Sequence, residues 1–305
     1  MIDLSIVVLN WNVRDLLERC LASLRSEHYT LEIIVVDNAS RDDSVALVRA
    51  KFPQVTLIAN AENRGFTGGN NQGIAAAHGR YVMVLNPDTE VLGNALDRLV
   101  VYLDEQPDVG ALGPQLLNPD RSIQSSRRRF PTLTTAFFES TWLQGLAPRG
   151  ILTHYYLDDV PPAHIQEVDW LNGACTVFRR EVLDRVGVYD AQNFFMYSEE
   201  LDLCRRVKEA GWKIVYLPEA QVVHYVGQSS DQAVAARHIY FQTSKVHYFR
   251  KWEGDLRANV LRVFLLSQYV WQIVLEGVKG LLGSKRDLRR QRVKVYWQVL
   301  RTGLK

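Results

Sequence analysis

The sequence predicts an α/β fold built on a mostly parallel sheet, and three observations predict it. Leu4–Leu9, Glu32–Val36, Val55–Ala59 and Tyr81–Leu85 are apolar or β-branched runs of strand length. Helix-length segments, Arg14–Ser26, Asp42–Lys51 and Asn70–His78, alternate with them, which is the mark of βαβ units. Each run stops in a polar loop: Asn10-Trp11-Asn12, Asp37-Asn38-Ala39-Ser40, Asn60–Gly69 and Asn86-Pro87-Asp88. Right-handed crossovers bring all four loops to one rim of the sheet, where open α/β sheets bind their ligands.

After the first strand, Leu9 runs into Asn10-Trp11-Asn12 without a glycine. That argues against the G-x-G-x-x-G fingerprint of a dinucleotide enzyme. The second strand ends at Asp37, inside the crevice. An ionised carboxylate only accepts hydrogen bonds, so Asp37 can take the imide N–H of a uracil or thymine ring. Ser40 is expected to cap the next helix, with Asp42 in its first turn. NRGFTGGNNQG, 63–73, carries four glycines and opens a helix. It is expected to let backbone approach a ligand and to aim a helix N-terminus at anionic groups. Pro87 ends the strand Tyr81–Leu85, leaving Asp88 just past a central strand. There it can hold a hard divalent cation against phosphate oxygens, or simply make a turn before a helix near Gly93.

Beyond a helix over Gly93–Gln106 and a strand over Gly110–Leu117 the alternation decays. Arg127-Arg128-Arg129 is either a solvated surface or a phosphate contact, and Leu143–Ile165 reads as a long loop. Gly173 precedes the strand Cys175–Arg179 and fits a tight turn or a close ligand approach. Glu199, Glu200 and Asp202 begin a helix directly after an aromatic run. Acids in a first turn suit the helix dipole, but carboxylates crowded by aromatics also have raised pKa values and serve as general bases. His224 closes a strand before Gly227-Gln228-Ser229-Ser230, as a core histidine or a metal ligand.

The chain has 305 residues, formal charge +2 and three widely spaced cysteines. The charge gives no reason to expect nucleic acid, and the cysteines suit a reducing compartment rather than disulfides or a thiolate zinc site. No leader with basic and then apolar regions is expected at the start.

Taken together, the motifs resemble glycosyltransferase family 2, inverting enzymes of the GT-A fold, and within it the rhamnosyltransferase-like branch of bacterial cell-surface polysaccharide synthesis. The resemblance rests on SIVVLNWN (5–12), IIVVDNASRDDS (33–44), NRGFTGGNNQG (63–73), VLNPDTE (84–90), DWLNGAC (169–175), FFMYSEELDLCRR (194–206) and VVHYVGQS (222–229). It implies a GT-A catalytic domain, a Rossmann-like sheet flanked by helices, over 1–230. Asp37 would bind the pyrimidine and Leu9, Asn10 and Trp11 would line the nucleoside. Asn63, Gly65, Asn70, Asn86 and Gly173 would complete the nucleotide-sugar site. Asp88 would hold the last position of an Asp-x-Asp metal motif, with His224 a further ligand of Mg²⁺ or Mn²⁺. Glu200 would be the general base, with Glu199 and Asp202 as the other carboxylates in play. The sequence departs from the family pattern at Asn86, which replaces an acid, and at Glu200, where Asp is usual. The implied reaction moves a sugar from dTDP-rhamnose or a UDP-sugar to a hydroxyl of a lipid-linked or polysaccharide acceptor. A non-catalytic nucleotide-sugar-binding component and a sugar nucleotidyltransferase are the alternatives.

Residues 231–305 are expected to form a helical extension. Gln232–Trp252 reads as a helix, and Val260–Gly283 as a more apolar one whose Gln268, Gln272, Glu276 and Lys279 make a single polar stripe. Lys285–Lys305 carries eight basic residues against Asp287. This extension would dock on an anionic leaflet, placing a cytoplasmic protein on the inner face of the membrane, or would pair in a homodimer.

Overall fold

The computed structural model describes residues 2–226, 234–283 and 285–305. The chain begins β1 (Leu4–Asn10), α1 (Arg14–Ser23), β2 (Leu31–Asp37), α2 (Ser44–Lys51), β3 (Thr56–Ala59) and α3 (Gly65–Ala76). It continues through β4 (Tyr81–Leu85), β5 (Thr89–Val91), α4 (Ala95–Glu105), β6 (Val109–Leu117) and β7 (Arg127–Arg128). Then come α5 (Leu133–Phe138), α6 (Ile151–Tyr156), β8 (Gln166–Glu167), β9 (Trp170–Leu171), β10 (Cys175–Arg179), α7 (Arg180–Val186), α8 (Glu199–Glu209) and β11 (Lys213–His224). Three helices finish it: α9 (Val234–Glu253), α10 (Asp255–Leu281) and α11 (Arg286–Thr302). The chain divides into two compact units. The second takes Pro131–Tyr155 and Met196–Ser198 as well as Ser230–Lys305, so a single cut at 230 does not describe it.

The first unit is a sheet of order β3-β2-β1-β4-β10-β6-β11-β5 with β8 beside β11. Strands β1 to β4, β6 and β11 run one way, while β10 and β5 run against them. The carboxyl ends of the first group therefore share one edge with the start of β10 and of β5. Alternation along β1 explains its unbroken apolar run. Leu4, Ile6 and Val8 pack with Leu17 and Cys20 of α1 and Leu99 of α4, while Val7 and Leu9 pack with Ile74 of α3 and Leu203 of α8. Both faces are covered, as parallel sheets require.

The glycine-rich stretch is a helix from Gly65, not a loop before one. A Cβ on Gly69 would lie 2.3 Å from Leu9 Cδ1, and one on Gly73 2.2 Å from Val7 Cγ1. These glycines let α3 lie flat on β1; the backbone they expose faces the sheet, not a ligand. Ser40 also departs from expectation. Helix α2 starts at Ser44, and Ser40 Oγ instead accepts from Asn12 N at 2.9 Å and Asn10 Nδ2 at 3.1 Å, stitching two rim loops together. The segment expected to be a long loop contains α6.

In the second unit α10 buries a mixed face, Ala258, Leu261, Leu265 and Tyr269 together with Gln268 and Glu276. Part of its polar stripe is thus covered, and Glu276 accepts from Arg289 of α11 at 2.6 Å. The outward face carries Val263, Val270, Trp271, Val274, Val278 and Leu281, each about half exposed or more. By length and composition α10 is long and apolar enough to cross a membrane, and 28% of its most apolar window is buried.

Candidate active site

Asp37 sits at the end of β2 with 1% of its surface exposed. Asn10 Nδ2 donates to its Oδ2 at 2.8 Å and Ser40 N to its Oδ1 at 2.9 Å. Each carboxylate oxygen has two lone pairs, so both retain accepting capacity while the side chain is held still. Trp11 is half-buried beside it on the rim.

The first turn of α3 is already occupied by protein. Phe66 N donates to the Phe195 carbonyl at 2.9 Å, and a Cβ on Gly65 would meet the Phe195 ring at 2.7 Å. Asn63 Oδ1 accepts from Gly65 N at 2.8 Å, and the fully buried Asn70 donates to Phe66 O at 3.0 Å. Asn63, Gly65 and Asn70 thus build the α3 start and seat Phe195. Two of the three adjacent arginines have partners within the fold. Arg127 is buried and donates to Gln166 Oε1 at 2.6 Å, and Arg128 lies over the Tyr156 ring.

Asp88 is buried at the start of β5, and His224 at the end of β11 pairs with Thr89 beside it. His224 Nε2 lies 3.4 Å from Asp88 Oδ1. An imidazole nitrogen and a carboxylate oxygen are apt donors for Mg²⁺ or Mn²⁺. Among the described residues no cluster of three or more metal-ligating side chains occurs. A cation held here would complete its shell with phosphate oxygens and water, the usual habit of Mg²⁺ at nucleotide sites. The residues therefore fit the group.

Asn86 N donates to Ala174 O at 2.9 Å, joining the Asn86–Asp88 loop to the turn before β10. In that turn a Cβ on Gly173 would lie 3.6 Å from the Glu200 side chain. The turn at Gly173 thus lies between Glu200 and the loop that carries Asp88. Glu199 is buried and Glu200 half-buried at the start of α8. Burial and the neighbouring Glu200 charge push Glu199 well above the ordinary glutamate range, and burial raises Glu200. A hydrogen bond between the two favours the acid form of Glu199 and the carboxylate form of Glu200. Asp202 stands apart: fully buried, it accepts from Arg206 Nε at 3.0 Å, while Arg206 also donates to Val186 O and Val188 O. It anchors α8 and presents no free edge to a substrate.

Gln124 carries a contact that the sequence did not single out: His224 Nδ1 lies 2.7 Å from its Oε1. Its position in the loop after β6, at the ligand-binding edge, was the available signal.

The family model "Glycosyl transferase family 2" matches residues 5–187. The chain is 30% identical over 245 residues to the N-acetylglucosaminyl-diphospho-decaprenol L-rhamnosyltransferase of Mycobacterium tuberculosis, covering 76% of this chain and 79% of that one. It is 26% identical over 232 residues to the rhamnosyltransferase WbbL of Escherichia coli K12, covering 72% and 82%. Among solved structures it is similar to the mannosyltransferase PcManGT of Pyrobaculum calidifontis, with a TM-score of 0.58 and 19% identity over 99% of this chain and 85% of that one. The fold is therefore GT-A, and the chain belongs to glycosyl transferase family 2, as a rhamnosyltransferase-like glycosyltransferase of cell-surface glycan synthesis.

Proposed function

We propose that the chain transfers a sugar, with inversion, from dTDP-rhamnose or a UDP-sugar to a hydroxyl of a lipid-linked acceptor. The observation that carries this reading is the turn at Gly173 and Ala174, which lies between Glu200 and the loop of Asp88. Asp37 ends β2 and Asn86 directly follows β4, on either side of β1, about 10 Å apart by two strand spacings. A nucleoside diphosphate can bridge that gap, its pyrimidine on Asp37 and its phosphates near Asp88, with Leu9, Asn10 and Trp11 beneath the nucleoside. Asp88 and His224 would hold Mg²⁺ or Mn²⁺, which when bound offsets charge on the departing diphosphate. Glu200 accepts the proton of the acceptor hydroxyl as it attacks, with Glu199 kept protonated at its side. The M. tuberculosis relative is named for a diphospho-decaprenol acceptor, which supports a lipid-linked one here. The test is incubation with dTDP-rhamnose and UDP-sugars, Mn²⁺ and a polyprenyl-diphosphate-linked sugar, with the product anomer read by NMR. Retained configuration, or hydrolysis of donor without transfer, would overturn it.

We place the protein peripherally on the cytoplasmic face of the membrane, held by α10 and α11. The outward apolar face of α10 and the basic residues of α11 match an anionic leaflet. The inward side of α10, with Glu276 paired to Arg289 and Arg292, favours lying along the surface over crossing it.

A further inference from the structure

Strand β6 ends in a tight turn. Asn118 N donates to Ser122 O at 2.8 Å, Arg121 sits at φ 68°, and Gln124 N returns to Leu116 O at 2.9 Å. The turn lays the Gln124 side chain on the end of β11. Its amide nitrogen donates to Asn118 Oδ1 at 2.9 Å and to the His224 carbonyl at 3.3 Å, so its oxygen faces His224 Nδ1 at 2.7 Å. The sense of this amide is fixed from further back. Asp120 Oδ1 accepts from the Ser122 hydroxyl at 2.6 Å, and Ser122 Oγ accepts from Asn118 Nδ2 at 2.9 Å. That leaves Asn118 Oδ1 to accept from Gln124. The series starts at a carboxylate, which only accepts when ionised, and every later link inherits its direction.

It ends on an oxygen, so the proton of a neutral His224 belongs on Nδ1. Its Nε2 then carries a lone pair, 3.4 Å from Asp88 Oδ1. Two acceptors at that separation repel unless a cation lies between them. We propose that Gln124 is a positioning residue for the metal: it fixes the His224 tautomer so that Nε2 and Asp88 present two lone pairs to one divalent ion. This rests on the metal role proposed above for Asp88 and His224. Nothing in the motifs assigns Gln124, which lies outside all of them.

Two readouts on the full-length protein test it. One is the ¹⁵N spectrum of labelled histidine without metal, which distinguishes Nδ1–H, Nε2–H and doubly protonated rings. The other is Mn²⁺ affinity in the presence of UDP, followed by the paramagnetic resonance of free Mn²⁺. Wild type should show the proton on His224 Nδ1. Gln124→Leu should lose that fixed tautomer and weaken Mn²⁺ binding about 10–100-fold, the usual effect of removing a partner behind a metal ligand. Gln124→Glu keeps an acceptor at Nδ1 and should retain the Nδ1 proton, while losing the amide donor to Asn118 Oδ1. A proton on Nε2 in wild type, or a Gln124→Leu variant silent in both readouts while His224→Ala is not, overturns the inference alone. Unchanged Mn²⁺ affinity in His224→Ala overturns the metal site with it. If Gln124→Leu does not fold, Gln124→Glu decides: loss of the Nδ1 proton there refutes the role.

Discussion

Replacing Glu200 by Gln removes a base while keeping nearly everything else. Gln has the shape of a protonated carboxyl, and Glu200 is half-buried, so no cavity opens. The hydrogen bond with Glu199 survives, because Gln still offers an oxygen to its proton. What is lost is proton acceptance, and that is worth about 10²–10⁴ in rate, or about 3–5 kcal/mol on the barrier. Donor affinity should hold, since Glu200 meets the acceptor hydroxyl. The assay is single-turnover sugar transfer to a lipid-linked acceptor, run beside nucleotide titration. Burial raises the Glu200 carboxyl, and the working form is deprotonated. The acid limb of wild-type kcat/KM should therefore lie above the ordinary glutamate value of about 4.3 and vanish in the variant. A Gln variant that turns over like wild type, or that loses donor binding in step with rate, refutes the assignment.

Four other outcomes follow from the same geometry. Asp202→Asn breaks a buried pair with Arg206 and should cost about 3–5 kcal/mol of stability, so its activity loss should track unfolding in a denaturant melt. Glu199 is raised by burial and by Glu200; its folded value exceeds its unfolded one, so its stability contribution is full at low pH and is lost as pH rises through the folded value. Glu199→Gln should accordingly raise the melting temperature in alkaline buffer and leave it unchanged at low pH. Gly73→Ala drives a Cβ into Val7, whose β-branched side chain in a covered strand has little room to turn; overpacking of about 1–3 kcal/mol should exceed the helix-propensity gain of about 1 kcal/mol, whereas Gly277→Ala, with nothing within 4 Å, should show only the gain. Trp271→Glu with Val274→Glu should release the protein from anionic vesicles in co-sedimentation; wild-type attachment, near 1 kcal/mol per engaged Lys or Arg at roughly that scale, should weaken as salt shortens the Debye length.

The parallel half of the sheet was legible because its strands are covered on both faces and read as unbroken apolar runs. The rim loops followed from the topology rule. The glycine stretch was misread because glycine is a poor helix former by propensity, and only the tertiary fit of α3 on Val7 and Leu9 shows why it is tolerated. Asp202 stayed in play behind Glu200 in the sequence. Its partner Arg206 sits one helical turn on, the ordinary spacing of an ion pair, but the carbonyls of Val186 and Val188 that fix that arginine come from another element. The side of α10 facing outward was hidden for a similar reason: a stripe is periodic in sequence, but which side is covered depends on the Arg289 and Arg292 partners. Gly227–Ser230, expected to follow His224, lies outside the described residues.

The central claim is that one edge of the sheet holds a pyrimidine nucleoside diphosphate with a divalent ion on Asp88. Calorimetric titration of UDP and dTDP, with and without Mn²⁺, into wild type and Asp88→Asn tests it most directly. Binding to wild type should depend on Mn²⁺, and Asp88→Asn should lose the metal-dependent part while keeping its melting temperature. Equal affinity with and without metal in wild type, or an Asp88→Asn variant that still binds in a Mn²⁺-dependent way, would contradict it.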